Sequence, residues 1–293
     1  MRKKSVLIIG GSGYVGTSLA LRLRDECKVF ATHYRHPLRI GGVSAIPLGL
    51  NNPEWIKTAV LNTQADSVIY LAGTDRRSDA GELELIYSSA ALVVLGAVSI
   101  LGARFIYLSH ASIYDGAKGN YKPTDAPLTR SSWGRAQLAA ENGIRSRAIH
   151  YAIIRSSPSY GLGPNTNPSF TDRLIFNLAT GRGMELDDVE VHSFTPIQAL
   201  VETLAGACLK SEVHGFYHHS GAEPCTQLSW GKRLAEYLGL PSELLRAKQT
   251  GEDTETRNLS LDGMSGATLS KMEPLLLEQG FDLLKQQLLA SRT

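Results

Sequence analysis

Short blocks of consecutive apolar residues alternate with longer stretches of helical periodicity through the first half of the chain. Residues 6–9 are apolar at every position, as expected for a strand covered on both faces of a parallel sheet. A helix is predicted over 14–24, then strands over 28–32 and 43–47. Residues 53–61 read as a helix with Pro53 in its first turn and Asn51 or Asn52 as cap. A strand over 66–71, a helix over 82–101, a strand over 104–108, a helix over 132–147 and a strand over 151–155 complete the series. Strands and helices alternating at this spacing specify βαβ units and a parallel sheet. The predicted fold class is α/β, a Rossmann-like doubly wound parallel sheet with a smaller C-terminal substrate lobe.

The pattern changes after Arg155. Residues 156–167 are rich in Ser, Pro, Gly and Asn and read as a functional loop. Helices over 171–180, 197–209, 227–238 and 274–289 and a strand over 215–219 follow. The expected division is a dinucleotide-binding domain over 1–158 and a mainly substrate-binding lobe over 159–293, with some segments returning to the core. The lobe would close over the carboxyl edge of the sheet, where open α/β sheets bind ligands.

Composition narrows the partners. Across 293 residues, 30 basic and 28 acidic side chains leave a formal charge of +2, so nothing favours nucleic acid or a membrane surface. The apolar run over 90–101 is shorter than the roughly 18–20 residues that cross a bilayer. The apolar run after the basic start ends at Gly10, which suits a first strand better than a signal peptide. Cys27, Cys208 and Cys225 form no C-x-x-C or metal-like cluster, so no metal site is expected and a reducing cytoplasmic compartment is.

Gly10, Gly13 and Gly16 lie directly after the first strand and open the first helix. That context needs glycine for a tight turn, for backbone approach to a pyrophosphate and for close helix–sheet packing. The helix N-terminus then offers N–H groups and partial positive charge to phosphates. A plain strand-to-helix turn is the alternative, but the context favours a dinucleotide. The candidate cofactor positions are Gly10, Gly13, Tyr14, Val15 and Gly16, then His33 and Arg35, then Leu71, Ala72 and Gly73, and Ser157. The second strand ends in Thr32-His33-Tyr34-Arg35 with no carboxylate for ribose hydroxyls. Arg35 as a partner for a 2′-phosphate points to NADP over NAD; as a solvated loop arginine it leaves both open. Leu48-Gly49-Leu50 stands where an Asp often contacts adenine.

These segments together resemble the extended short-chain dehydrogenase/reductase superfamily, in its dTDP-4-dehydrorhamnose reductase (sugar-nucleotide-binding) branch. The resemblance runs through Gly10 to Gly16, Leu71-Ala72-Gly73, residues 102–116, 118–127 and 133–141, Ile154-Arg155, Tyr160-Gly161 and 215–224. It implies reduction, epimerisation or dehydration of a nucleotide-linked sugar with a bound nicotinamide, and a homodimer through the helices over 82–101 and 132–147. Small residues such as Ser88, Ala91, Gly134 and Ala139 suit such an interface, and equally suit packing on the sheet.

The catalytic set implied by the resemblance is replaced position by position. A Ser or Thr hydroxyl becomes His110, flanked by Ser109 and Ser112; the Tyr becomes Trp133 and the Lys becomes Gln137. An Asn common in the helix after the fourth strand corresponds to about Ser88 or Ser89. Tyr and Lys four residues apart share a helix face, and the cation lowers the phenol pKa so that it trades a proton with substrate. An indole N–H does not titrate and a Gln carries no charge. His110 has a suitable reference pKa of about 6.5, or it is a loop-end residue that caps backbone groups. Tyr114 and Tyr160 are further phenols with no cationic partner evident in the sequence, and read as packing residues. His218 and His219 should face opposite sides of their strand.

Two readings follow. In one the protein is an NAD(P)-dependent oxidoreductase, epimerase or dehydratase acting on a nucleotide-linked sugar or related carbonyl substrate by a non-standard mechanism. In the other it is a catalytically inactive dinucleotide-binding regulatory or interaction subunit. The regulatory subunit of methionine adenosyltransferase, a relative in this branch, is the precedent for the second.

Overall fold

The computed structural model describes residues 2–163, 168–249 and 256–290. Its first half is a strand–helix alternation: β1 (Ser5–Ile9), α1 (Tyr14–Leu23), β2 (Lys28–His33), β3 (Val43–Pro47), α2 (Pro53–Thr63), β4 (Ser67–Tyr70), α3 (Ala80–Glu84), α4 (Ala90–Leu101), β5 (Arg104–His110), α5 (Ser132–Arg147) and β6 (Tyr151–Ser156). Asn52 caps α2, its side chain accepting from the backbone N–H groups of Glu54 and Trp55. The helix expected over 82–101 starts earlier and contains a π-helical turn, Leu85–Ser89, between α3 and α4. Among the described residues this continuous 22-residue stretch is the one helix long and apolar enough to cross a membrane. Here its apolar side is core: Ala90, Ala91, Val94, Leu95, Ala97 and Val98 are buried.

The second half adds β7 (Ser159–Tyr160), α6 (Phe170–Ala179), β8 (Met184–Leu186), β9 (Glu190–His192), β10 (Thr195–Pro196), α7 (Ile197–Leu209), β11 (Gly215–His219), β12 (Cys225–Thr226), α8 (Gln227–Leu238), β13 (Leu245–Ala247), β14 (Arg257–Asn258), α9 (Met264–Ser270) and α10 (Leu277–Ala290). The main sheet has seven strands in the order β11-β6-β5-β4-β1-β2-β3, every pairing parallel. Both faces are covered, as an all-parallel sheet requires. On one face α1 and α7 bury Leu19, Leu23, Leu200 and Leu204 against the strands. On the other α2, α4 and α5 bury Ile56, Val60, Val94 and Ile144.

A second core, built on Leu174, Leu186, Trp230, Leu234, Phe281 and Leu284, holds α6, α8 and α10 with the short strands. Those strands form three small sheets, β7 with β10, β8 with β13, and β12-β9-β14. Of the Ser/Pro/Gly/Asn-rich stretch, residues 164–167 lie outside the described residues. Its described start is tied down: Ser169 and Asp172 form a capping box, Ser169 Oγ donates to Gly161 O (2.6 Å), and Gly163 N donates to Asp172 Oδ2 (2.8 Å).

Candidate functional site

The glycine turn follows β1 with Gly10 at φ +87°, a left-handed conformation that favours glycine. A Cβ at Gly10 would lie 2.7 Å from Ala72 N, so this turn also packs directly on the end of β4. The Gly13 N–H donates to Gly10 O (3.1 Å), and Gly10 N–H donates to Thr32 Oγ1 (2.9 Å), fixing the loop between β1 and β2. Gly13 is the N-cap of α1, and no side chain caps the helix start. Gly16 is the tightest position: its Cβ would meet Gly10 O at 2.3 Å and Gly11 Cα at 2.8 Å. At Gly13 the nearest atom to such a Cβ is Gly10 O at 3.3 Å.

A cavity of ≈ 390 Å³ opens on this turn, and Gly10, Gly13, His33, Arg35, Leu71, Ala72 and Gly73 all line it. Tyr14, Val15 and Gly16 form the first turn of α1 instead, and the Tyr14 hydroxyl is buried near Gly161 with no hydrogen-bond partner. Ser157 is buried just after β6, its N–H donating to His219 O (3.0 Å), and it does not line the cavity. Leu48, Leu50 and Asn51 form part of the wall, which supplies apolar surface where a carboxylate was sought. Arg35 is exposed at the rim with its guanidinium 5.8 Å from the Tyr34 ring.

β5 runs two residues beyond its expected end, so Ser109 and His110 are strand residues whose register pairs them with Arg155 and Ser156. Alternation turns Ser109 inward, where its Oγ donates to Gln137 Oε1 at 3.1 Å; the two residues are 2 % and 1 % exposed. Neither lines a cavity, so the Ser109 and Gln137 expectation becomes a closed contact between β5 and α5. His110 caps the short 3₁₀ turn Ala111–Ile113, its Nδ1 accepting from the Ser112 N–H (3.1 Å). A neutral His110 therefore carries its proton on Nε2. Burial, with His192 adding, lowers its pKa to about 3. The Trp133 indole packs on this ring at 4.4 Å, and Tyr87 meets Trp133 edge-on at 6.1 Å.

His110, Ser112 and Trp133 line a second cavity of ≈ 220 Å³ with Arg76, Arg77, Tyr114, Asp115, Arg130, Glu190, His192, Arg257 and other residues. No phenol there restores the missing pair. Tyr87 donates to Thr74 O (2.9 Å) and accepts from Thr74 N–H (3.2 Å), which commits its hydroxyl to backbone. Tyr114, for which the sequence offered no cationic partner, does meet one: Arg155 Nη1 lies 2.8 Å from its hydroxyl. That guanidinium is itself paired with Glu141 at 2.7 Å, and burial still pushes the Tyr114 pKa up to about 12. Tyr160 is buried in the second core beside Trp230 and Phe281. His218 and His219 do face opposite ways, the first onto Tyr114 and the second between Thr195 and Thr203.

The sequence reading missed Glu190, His192, Arg257 and the arginines at 76, 77 and 130. Their positions span β9, β14 and two loops, with no shared local motif. Only Glu190 and His192 carried a usable signal, an i, i+2 pair on one face of a strand.

The chain matches the RmlD substrate binding domain over residues 3–260. It belongs to that family. Among curated RmlD-like relatives, methionine adenosyltransferase 2 subunit beta from Xenopus tropicalis is 24% identical over 264 residues, 83% of this chain and 75% of that protein. The NADP complex of Bacillus anthracis dTDP-4-dehydrorhamnose reductase superposes with TM-score 0.80 at 17% identity, covering 98% of this chain and 99% of that one. MoeE5 in complex with UDP-glucose and NAD gives TM-score 0.81 at 21% identity, over 99% and 100% of the two chains. The fold is thus the Rossmann-like α/β fold of the RmlD family.

Proposed function

We propose that the protein binds NADP, or NAD, on the glycine turn and acts on a nucleotide-linked sugar or related carbonyl compound without a tyrosine–lysine relay. The observation that carries this reading is the state of His110. It stands at the carboxyl end of β5, lines the cavity next to the glycine cleft, and is neutral at pH 7 with Nε2–H as its remaining donor. A neutral imidazole donor can stabilise a developing oxyanion without itself giving up a proton. Ser112 Oγ is a second donor in the same cavity. The dinucleotide would supply or accept hydride; the alkoxide would take its proton from solvent. Support comes from the neighbours described as complexes with NADP, with NAD and with UDP-glucose. Arg35 at the cleft rim supports NADP over NAD. Exposed Ala139 on α5 leaves room for a second copy, which size-exclusion chromatography reads directly.

A second reading, a catalytically silent dinucleotide-binding subunit, is favoured by one specific feature. The Ser109 hydroxyl is spent on Gln137 Oε1, and neither residue lines the cavity, as a packed replacement would have it. The similarity to methionine adenosyltransferase 2 subunit beta runs the same way. The two separate on hydride transfer from deuterium-labelled NADPH to a panel of keto-sugar nucleotides. Transfer abolished by His110→Ala supports the enzyme; NADPH binding with no transfer to any acceptor supports the silent subunit.

A further inference from the structure

The cavity beside His110 is richer in cations than oxidoreductase chemistry on a neutral sugar requires. Arg76, Arg77, Arg130 and Arg257 line it against two carboxylates, Asp115 and Glu190. Both carboxylates are already engaged. Asp115 accepts from the Tyr121 hydroxyl (2.7 Å) and the Ala117 N–H (3.1 Å). Glu190 lies 3.0 Å from Arg257, 3.6 Å from Arg76 and 3.4 Å from His192 Nε2. The Arg130 side chain makes no hydrogen bond or ion pair with any described residue.

Three residues of the same wall carry an orphaned polar atom, Trp133 Nε1 being one of them. Ser112 Oγ and His192 Nδ1 are buried without a hydrogen-bond partner, in residues 9% and 5% exposed. Buried polar groups are ordinarily satisfied, so such a pair in one cavity points to a ligand. Their chemistry says which kind. A carboxylate only accepts, so His192 Nε2 donates to Glu190 and Nδ1 is the ring nitrogen left for a ligand hydroxyl, which can either donate or accept. Ser112 Oγ and His110 Nε2–H are donors, and Arg130, whose neighbours Arg76, Arg77 and Arg257 pair with Glu190, Asp75 and Glu190, is the guanidinium left to favour an anionic oxygen group. At ≈ 220 Å³ the cavity has room for a sugar-sized unit.

We propose that this cavity holds a compact hydroxylated ligand bearing one anionic oxygen group, a carboxylate or a phosphate ester, its anion on Arg76 and Arg130 and a hydroxyl on His192 Nδ1. It rests on the reading of the cavity as the substrate side of the dinucleotide cleft, and narrows the substrate there to an acid.

Saturation-transfer NMR titrations of the full-length protein with D-glucuronate, D-glucose 6-phosphate, D-glucose and inorganic phosphate test it. At least one sugar acid should bind tenfold or more tightly than glucose, and the carboxylate and phosphate arms show which anion is read. Arg130→Gln and Arg76→Gln, both at solvent-accessible side chains, should weaken that acid fivefold or more. Ser112→Ala should weaken it threefold or more, whereas a merely structural serine would leave it unchanged. Glucose binding as well as the acids, inorganic phosphate binding as well as the sugar acids, no binding of any of the four probes, or indifference to all three variants would overturn the proposal. NADPH and NADH are titrated separately by their fluorescence: failure of both with acid binding intact sinks the oxidoreductase reading and leaves the anion site standing.

Discussion

Replacing Glu141 by Gln should destabilise the protein by about 3–5 kcal/mol, the cost of leaving a buried charge without its partner. Glu141 and Arg155 face each other between α5 and β6 with side chains 2% and 4% exposed. The guanidinium makes three contacts to the carboxylate, at 2.7, 3.2 and 3.2 Å. Its other partners are the Tyr114 hydroxyl, Pro123 O at 3.2 Å and the Phe216 ring at 4.5 Å, none of which carries negative charge at neutral pH. Removing the carboxylate charge therefore leaves a buried cation without an anionic hydrogen-bond partner. Domains of this kind hold about 5–15 kcal/mol in all, so the loss is a large fraction. Urea denaturation followed by circular dichroism reads it: with m near 3 kcal/mol/M, the midpoint should fall by about 1–1.7 M. Replacing both residues by Met should cost far less than the two single losses together. A midpoint shift under about 0.2 M, or additive losses in the Glu141→Met, Arg155→Met cycle, would refute the account of this pair.

Gly16→Ala should weaken NADPH binding more than tenfold and more than Gly13→Ala does, since only the former drives a Cβ to 2.3 Å from Gly10 O; equal affinities in a fluorescence titration would show the turn yields. The bulkier Gly13→Val should abolish binding by filling the space a pyrophosphate needs, and unchanged affinity would make the turn purely structural. Trp133→Tyr with Gln137→Lys should not create a dTDP-4-dehydrorhamnose reductase, because position 110 still lacks a hydroxyl and position 137 is 1% exposed under Ser109; robust turnover in an NADPH-coupled assay would contradict this. Stability should fall as pH drops below about 6.5. The folded-state pKa of His110 is lowered to about 3 and those of His218 and His219 to about 4, so the unfolded chain takes up protons first. Urea midpoints that stay flat or rise between pH 7 and pH 5 would exclude that linkage.

What the sequence made legible follows the strength of the local signal. A short apolar block such as Leu7-Ile8-Ile9, bounded by a glycine turn, suits a strand inside a covered sheet, and the seven parallel strands lie where short β-type runs were expected. The two-residue strands Ser159–Tyr160 and Thr195–Pro196 carry no period, because each is held by its partner across the lobe. The π-helical turn at Leu85–Ser89 is equally silent in sequence, since one extra residue in a helix leaves composition untouched. α9 was not among the expected elements: Ser265, Gly266 and Thr268 are weak helix formers, yet Gly266 is required there, since a Cβ would lie 2.5 Å from His218 O. At the site, the glycine turn was legible because its function is local backbone geometry. The charged wall was not, because Arg76, Glu190 and Arg257 meet only after two separate cores have packed.

On its side away from β5, β6 pairs with β11, some sixty residues later, and α7, which starts about forty residues after β6, packs beside α1 over β4, β5 and β6. During synthesis the nucleotide-binding half therefore waits on the ribosome with an open flank and an uncovered apolar surface until residue 219 has emerged. Truncation anywhere near the midpoint should consequently yield an aggregating product rather than a miniature dinucleotide binder.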